Sequence, residues 1–256
     1  MDLSEQPVSR AFLRHPWELA KRHFLIRLVH TFGLDSGAYR MVDAGAGDGW
    51  LGLELLRVLP EGSRLISWDI HYDMSSDPSP RHRRTPKLDD TDVGDMLLAL
   101  DVLEHVDDPH EWLAELVSRH LRTGGYAIIS VPAWPALYGE HDRALGHRCR
   151  FRPDGARGLL EGAGLEIICA GGLFLSLLPI RVIGTVWGRL LRPAAHASDP
   201  RGLEWRWGRF THRLMVGALT LDSRLSLALA RRKVLVPGLS WWALCRKNSH
   251  HHPLLQ

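Results

Sequence analysis

Side chains able to move a proton near neutral pH gather in two stretches of this chain. The first, EHVDD, holds Glu104 and His105. The second, VPAWPALYGEHDRALGHRCRF, holds Trp134, Tyr138, Glu140, His141, Asp142, His147 and Arg148. Imidazole titrates near neutrality and a neighbouring carboxylate raises its basicity, so His141 beside Asp142 has the composition of a general base. The other reading is that His141 and His147 tie down a loop by hydrogen bonds. His105 is open to two roles as well, shaping a pocket or acting on a substrate. Glu140, His141, His147 and Cys149 give H-x5-H-x-C, which matches no zinc spacing, and no metal is assigned. The triple histidine 250–252 is an adventitious metal binder at most.

A different chemistry belongs to MVDAGAGDGWLGLELL, residues 41–56. Small residues crowd a strand-to-helix turn when a ligand must approach the backbone. A dinucleotide fold wants a third glycine at position 50 for close helix–strand packing, and Trp50 stands there instead. Asp43, two residues before Gly45, offers a negative charge that suits an ammonium better than a pyrophosphate. A ligand with an amino-acid head and a nucleoside tail satisfies both features. S-adenosylmethionine is such a ligand, and a nicotinamide oxidoreductase is disfavoured.

These groups need a scaffold, and the apolar patterning supplies one. Residues 11–32 place Leu19, Phe24, Leu25, Leu28, Val29 and Phe32 at helical spacing before Gly33. YRMVDAG, SRLISWDI (63–70), DMLLALD (95–101), YAIISVP and LEIICAG read as strands. LGLELLRVL, the run from Asp108 to Gly-Gly 124–125 and RPDGARGLLEGAG read as helices, the second with Asp108 as N-cap and Pro109 behind it. Residues 73–92 read as loop. The alternation predicts an α/β domain with a largely parallel sheet and helices on both faces. LFLSLLPIRVIGTVWGRLL and RFTHRLMVGALTLDSRLSLALARRK then read as two apolar helices before a last strand, 239–247.

With those elements in place the chain resembles the class I S-adenosylmethionine-dependent methyltransferases. VDAGAGDG matches their D/E-x-G-x-G-x-G motif, LALDVLEHVDDP their fourth-strand motif, and LRTGGYAIISVP the approach to their fifth strand. The resemblance implies a Rossmann-like sheet ending in an antiparallel seventh strand. It implies that Asp43 faces the methionine ammonium, that Ala44 and Gly45 approach the methionyl part, and that Gly47 and Gly49 let the helix close in. Asp69, with Ile70 after it, would hold the ribose, and Asp101 would lie beside the methionine. The adenine contact is unassigned, Asp89 and Asp90 being candidates. VPA…HD…LGH resembles a loop in an uncharacterised branch of the family, with Cys149 in place of its first arginine and Arg150 present. Trp17 is either a lid over the cofactor or a core anchor. With Trp134, Tyr138, His147 and Arg148 it forms the candidate acceptor set.

Parsed by segment, residues 1–39 form a helical cap, 40–172 the cofactor core, 173–237 a helical insertion, 238–247 the final strand and 248–256 a tail. Residues 1–170 carry 19 Lys/Arg against 26 Asp/Glu, whereas 171–237 carry 11 against 3. The basic residues of the insertion alternate with Leu/Val/Ile runs, which disfavours nucleic acid. Arg181 lies mid-run in 169–188, and a central Arg costs roughly 2.5–3.5 kcal/mol on insertion, so no transmembrane helix is expected. Three readings of the insertion stay open: an interfacial pair on an anionic membrane with Trp187, Trp205 and Trp207 at the headgroups, a pocket cap, or a dimer contact. Three scattered cysteines and no apolar leader suggest a cytoplasmic protein, peripheral at the inner membrane face if the first reading holds. The expected activity is methyl transfer to a hydrophobic small-molecule or lipid-linked acceptor. A quinone- or polyketide-type acceptor, or a membrane-peripheral cofactor-binding module without turnover, are the alternatives.

Overall fold

The computed structural model describes residues 14–73, 79–191 and 208–248. Five parallel strands form most of one sheet: β1 (Arg40–Ala44), β2 (Arg64–Trp68), β3 (His82–Thr85), β4 (Gly94–Leu100) and β5 (Leu121–Pro132). β6 (Leu165–Leu173) lies at one edge. β7 (Ser240–Lys247) slots between β5 and β6, antiparallel to both, and the order is β3-β2-β1-β4-β5-β7-β6.

Alternate residues along the strands feed two cores, as the two-residue period of a pleated strand requires. Met41, Leu65, Met96, Leu98, Ile128 and Trp242 face one side, where α1 (Pro16–Thr31), α2 (Trp50–Leu56) and α7 (Arg209–Arg231) cover them. Val42, Leu97, Ala99, Ile129 and Trp241 face the other, under α3 (Pro109–His120) and α5 (Pro153–Gly162). The adjacent tryptophans of β7 therefore anchor opposite layers. Trp242 is fully enclosed and meets Phe24 of α1 edge-on at 4.9 Å between ring centroids.

Local signals explain the helix ends. Glu18 accepts from the backbone N–H of His15 while the His15 ring accepts from Trp17, a capping box that starts α1. Asp108 caps α3 by accepting from the amides of His110 and Glu111 at 2.9 and 3.0 Å. α3 stops at His120 rather than at Gly-Gly 124–125, because Leu121 already enters the sheet.

One expectation changes. The span 73–92 is not all loop: His82–Thr85 form β3, too short and too arginine-rich for an apolar pattern to reveal. Within 173–237 the two helices differ in how they pack. α7 is built into the core through Leu219, Leu227 and Ala230, packing on α1 and β6. α6 (Leu178–Leu191) differs, with Ile180, Ile183 and Trp187 all more than 60% exposed. Among the described residues no helix is long and apolar enough to cross a membrane. Trp205, Trp207 and the 250–252 histidines lie outside the described residues.

Candidate active site

The glycine turn lies between β1 and α2. Gly45, Gly47 and Gly49 all have positive φ (67°, 57° and 73°), a region that L side chains rarely occupy. A Cβ on Gly45 would overlap the Val102 side chain after β4, so glycine is required there for close approach as well as for its dihedral. Asp69 ties the turn to the end of β2, its Oδ2 accepting from the Gly47 amide at 2.9 Å and its Oδ1 from His71. Ile70 beside it is exposed.

Asp43 is buried, and no described group donates a hydrogen bond to its carboxylate. Burial, with the Asp48 and Asp69 carboxylates nearby, raises its pKa to about 7. Tyr72 Oη and Arg84 Nε are also enclosed without hydrogen-bond partners, and both lie within 4 Å of where a Gly49 side chain would begin. An uncompensated anion and two orphaned polar atoms around three left-handed glycines fit a ligand carrying a cation and hydrogen-bonding groups. They suit an amino-acid-bearing nucleoside.

Asp101 follows β4 with φ 53°. Ser130 Oγ donates to it at 2.8 Å, and Lys21 of α1 forms an ion pair with it. Burial alone would raise its pKa; Lys21 and Ser130 override that and hold it at about 2. Sequence reasoning missed Lys21, Tyr72 and Arg84. Lys21 is four residues from Trp17, on the same face of α1, which is the signal that could have revealed it.

The loop between β5 and α5 corrects the general-base pairing. His141 and Asp142 both lie on α4 (Glu140–Ala144), and successive helical residues diverge by about 100° rather than face each other. Asp142, fully buried, instead accepts from His147 Nδ1 (3.1 Å), Arg150 Nε (2.7 Å), the Gly139 amide (2.9 Å) and Arg181 of α6 (2.8 Å). Despite burial, these partners hold it well below the usual carboxylate range. Asp142 is thus a hub of ion pairs and hydrogen bonds, and its charge acts on His141 only by raising that ring's pKa against burial and Arg181. His141 packs near Trp17 (6.5 Å between centroids), and burial and then Arg181 lower its pKa. At neutral pH its ring is uncharged.

The remaining candidates are spread around this hub. Tyr138 Oη donates to the His147 carbonyl at 2.8 Å, and Trp134 Nε1 to the Gly238 carbonyl at 2.8 Å, which anchors the start of β7. Arg148 Nε donates to the His105 carbonyl at 2.9 Å and its guanidinium pairs with Asp107. His105 and His147 stand edge to face at 4.9 Å. Trp17 packs against the core and stands 6.5 Å from His141 between ring centroids. Asp90 pairs with Arg119 at 3.6 Å and is far too exposed to line a pocket.

A sequence model of the methyltransferase domain matches residues 17–170. The chain belongs to that family. It is an S-adenosylmethionine-dependent methyltransferase with a Rossmann-like fold. Solved structures with similar folds include a putative methyltransferase in complex with the Trm112 activator from Haloferax volcanii (TM-score 0.52, 16% identity, 93% of this chain and 94% of that one). A putative sarcosine dimethylglycine methyltransferase from Galdieria sulphuraria gives 0.51 at 14% identity, covering 89% and 86%. A methyltransferase from Mesorhizobium loti gives 0.50 at 14%, covering 83% and 93%. At such identities the likeness is one of fold. No curated protein matches the sequence of this methyltransferase.

Proposed function

We propose that this methyltransferase acts on a hydrophobic or lipid-linked acceptor presented beside α6, at an anionic membrane surface. One observation carries the reading. Arg181 donates to the Leu137 carbonyl and to Asp142, so the helix exposing Ile180, Ile183 and Trp187 is latched to the loop beyond the carboxyl end of β5. Ligands of open α/β sheets bind beyond those strand ends. An apolar face joined there favours an acceptor with an apolar body.

Bound S-adenosylmethionine supplies an electrophilic methyl group on a sulfonium. The chain's own contribution is alignment, worth several kcal/mol in a well-held pair, together with removal of the acceptor's proton where one must leave. In this reading Asp43 would hold the ammonium and Asp69 the ribose hydroxyls, with Ile70 beside the nucleoside. Asp101, held by Lys21 and Ser130, would lie at the methionine end. His141, whose ring is uncharged at neutral pH, would take the acceptor's proton at a ring nitrogen, while the bound cofactor would supply the methyl group with its sulfur as the leaving group. Trp17 and Tyr138 wall the acceptor.

The test incubates the protein with methyl-labelled S-adenosylmethionine and separate organic and aqueous extracts of the source cells. Label appearing in the organic fraction is the expected result. Label confined to water-soluble products overturns the acceptor class while leaving methyl transfer intact.

A further inference from the structure

Beside the acceptor loop lies a buried group for which methyl transfer has no assigned use. Glu104, in the turn Leu103–His105 after β4, is fully enclosed, and neither of its carboxylate oxygens has a hydrogen-bond partner. A buried carboxylate left in that state is costly unless a cation or a proton compensates it. Two imidazoles converge on it from distant parts of the chain, His105 from the same turn and His147 from the loop after α4. One donor atom from each of the three lies within 4.8 Å of the other two, with His147 Nε2 3.9 Å from Glu104 Oε1.

His147 is oriented as a ligand would be. Its Nδ1 is 3.1 Å from Asp142, a carboxylate kept ionised by Arg150 and Arg181, so Nδ1 carries the proton and donates. The Nε2 lone pair is left for the side facing Glu104. A carboxylate behind an imidazole, on the nitrogen remote from the ion, is how proteins commonly orient metal-binding histidines. Arg148 holds the other imidazole's backbone through the His105 carbonyl.

We propose that Glu104, His105 and His147 bind a divalent transition-metal ion of the zinc class, through two nitrogens and one oxygen, with a coordination position left open. Two imidazoles favour zinc and its neighbours over magnesium or calcium, which take oxygen ligands. Ligand bonds of about 2.0–2.2 Å put tetrahedral donor atoms roughly 3.4 Å apart, so loading draws the three groups inward by about an ångström. The ion's charge compensates Glu104, and the open position takes water or a donor atom of a ligand. With 41 residues between His105 and His147, no short spacing motif could show the site. The inference does not depend on the identity of the acceptor.

The test uses the full chain with the tail histidines replaced (H250N/H251N/H252N) so that they cannot compete. Stripped of metal, it is titrated with cobalt(II) and followed by visible absorption and calorimetry. The expected result is one equivalent bound, with the d–d bands of a four- or five-coordinate ion, displaced by zinc. Glu104→Gln and His147→Gln should each abolish the bands while the far-ultraviolet circular dichroism is kept; His105→Gln replaces either variant if it does not fold. Absence of saturable cobalt or zinc binding overturns the proposal. So does binding that survives the substitutions, which would place the ion elsewhere.

Discussion

The Asp43 side chain is buried beside the glycine turn with its pKa raised to about 7, so cofactor binding is predicted to be pH-dependent if Asp43 faces the ammonium as proposed. In that arrangement the ammonium would meet a full negative charge only when Asp43 is ionised. Below pH 7 the proton must first leave, so affinity for S-adenosylhomocysteine should fall, approaching tenfold per pH unit, and level off above pH 7. Calorimetry from pH 5.5 to 8 checks this, and a flat profile for the wild type would remove Asp43 from the ammonium site. In the free protein the linkage runs the other way. A carboxyl raised in the folded state stabilises fully below its unfolded pKa, and that contribution is lost as pH rises through about 7. Asp142 makes a second residue-scale case. Removing its charge strands the buried Arg150 guanidinium, and breaking such a pair costs about 3–5 kcal/mol, so Asp142→Asn should lower urea stability by that order. The glycine turn was legible because its chemistry is local, whereas the role of Asp142 was not. Adjacency in sequence suggested His141 as its partner, and only the helical backbone of α4 separates them and delivers Asp142 to Arg150.

At the scale of elements, α1 is tied to the end of β4 by Lys21–Asp101 and to α2 by Arg22–Glu54, and Arg14 just before it pairs with Asp48 of the glycine turn. Its N-cap His15 is lowered to about pH 4 by burial and then by His141 and His212, and His141 is itself lowered. A histidine depressed in the fold contributes stability above its unfolded pKa of about 6.5, and that contribution fades as pH falls toward 4. Hydrogen exchange should therefore show α1 amides losing protection between pH 6.5 and 4 ahead of β4 and β5. Simultaneous loss throughout would mean that these histidines do not control the docking of α1. Apolar strands at the sheet centre were readable from their runs of Val, Ile and Leu. β3 was not, since an edge strand of His-Arg-Arg-Thr carries a loop's composition and is held by its parallel pairing to β2. α7 misled for the opposite reason: its apolar face resembles an interfacial helix until α1 and Trp242 are seen to bury it.

For the whole molecule, the acidic body and basic 171–237 segment predict an orientation at a charged surface, α6 leading. Binding to vesicles should rise with anionic lipid and weaken with salt, since such attraction is screened over about 8–10 Å near physiological ionic strength. I183N/W187S should reduce it without changing S-adenosylhomocysteine affinity, as these exposed side chains take no part in the glycine turn. Full-length protein that ignores anionic vesicles at low salt would return α6 to a pocket cap or dimer contact. Excising 173–237 is no clean alternative, because α7 would take part of the core with it. The strand order carries one more consequence, for the chain as it is synthesised. β7 is made after β6, separated from it by residues 174–239, yet it must enter between β5 and β6. Until it emerges from the ribosome, two long hydrophobic strands present unpaired edges, open to a chaperone or to another nascent copy. The vulnerable moment in this protein's life is the interval before Trp241 and Trp242 arrive to close both layers at once.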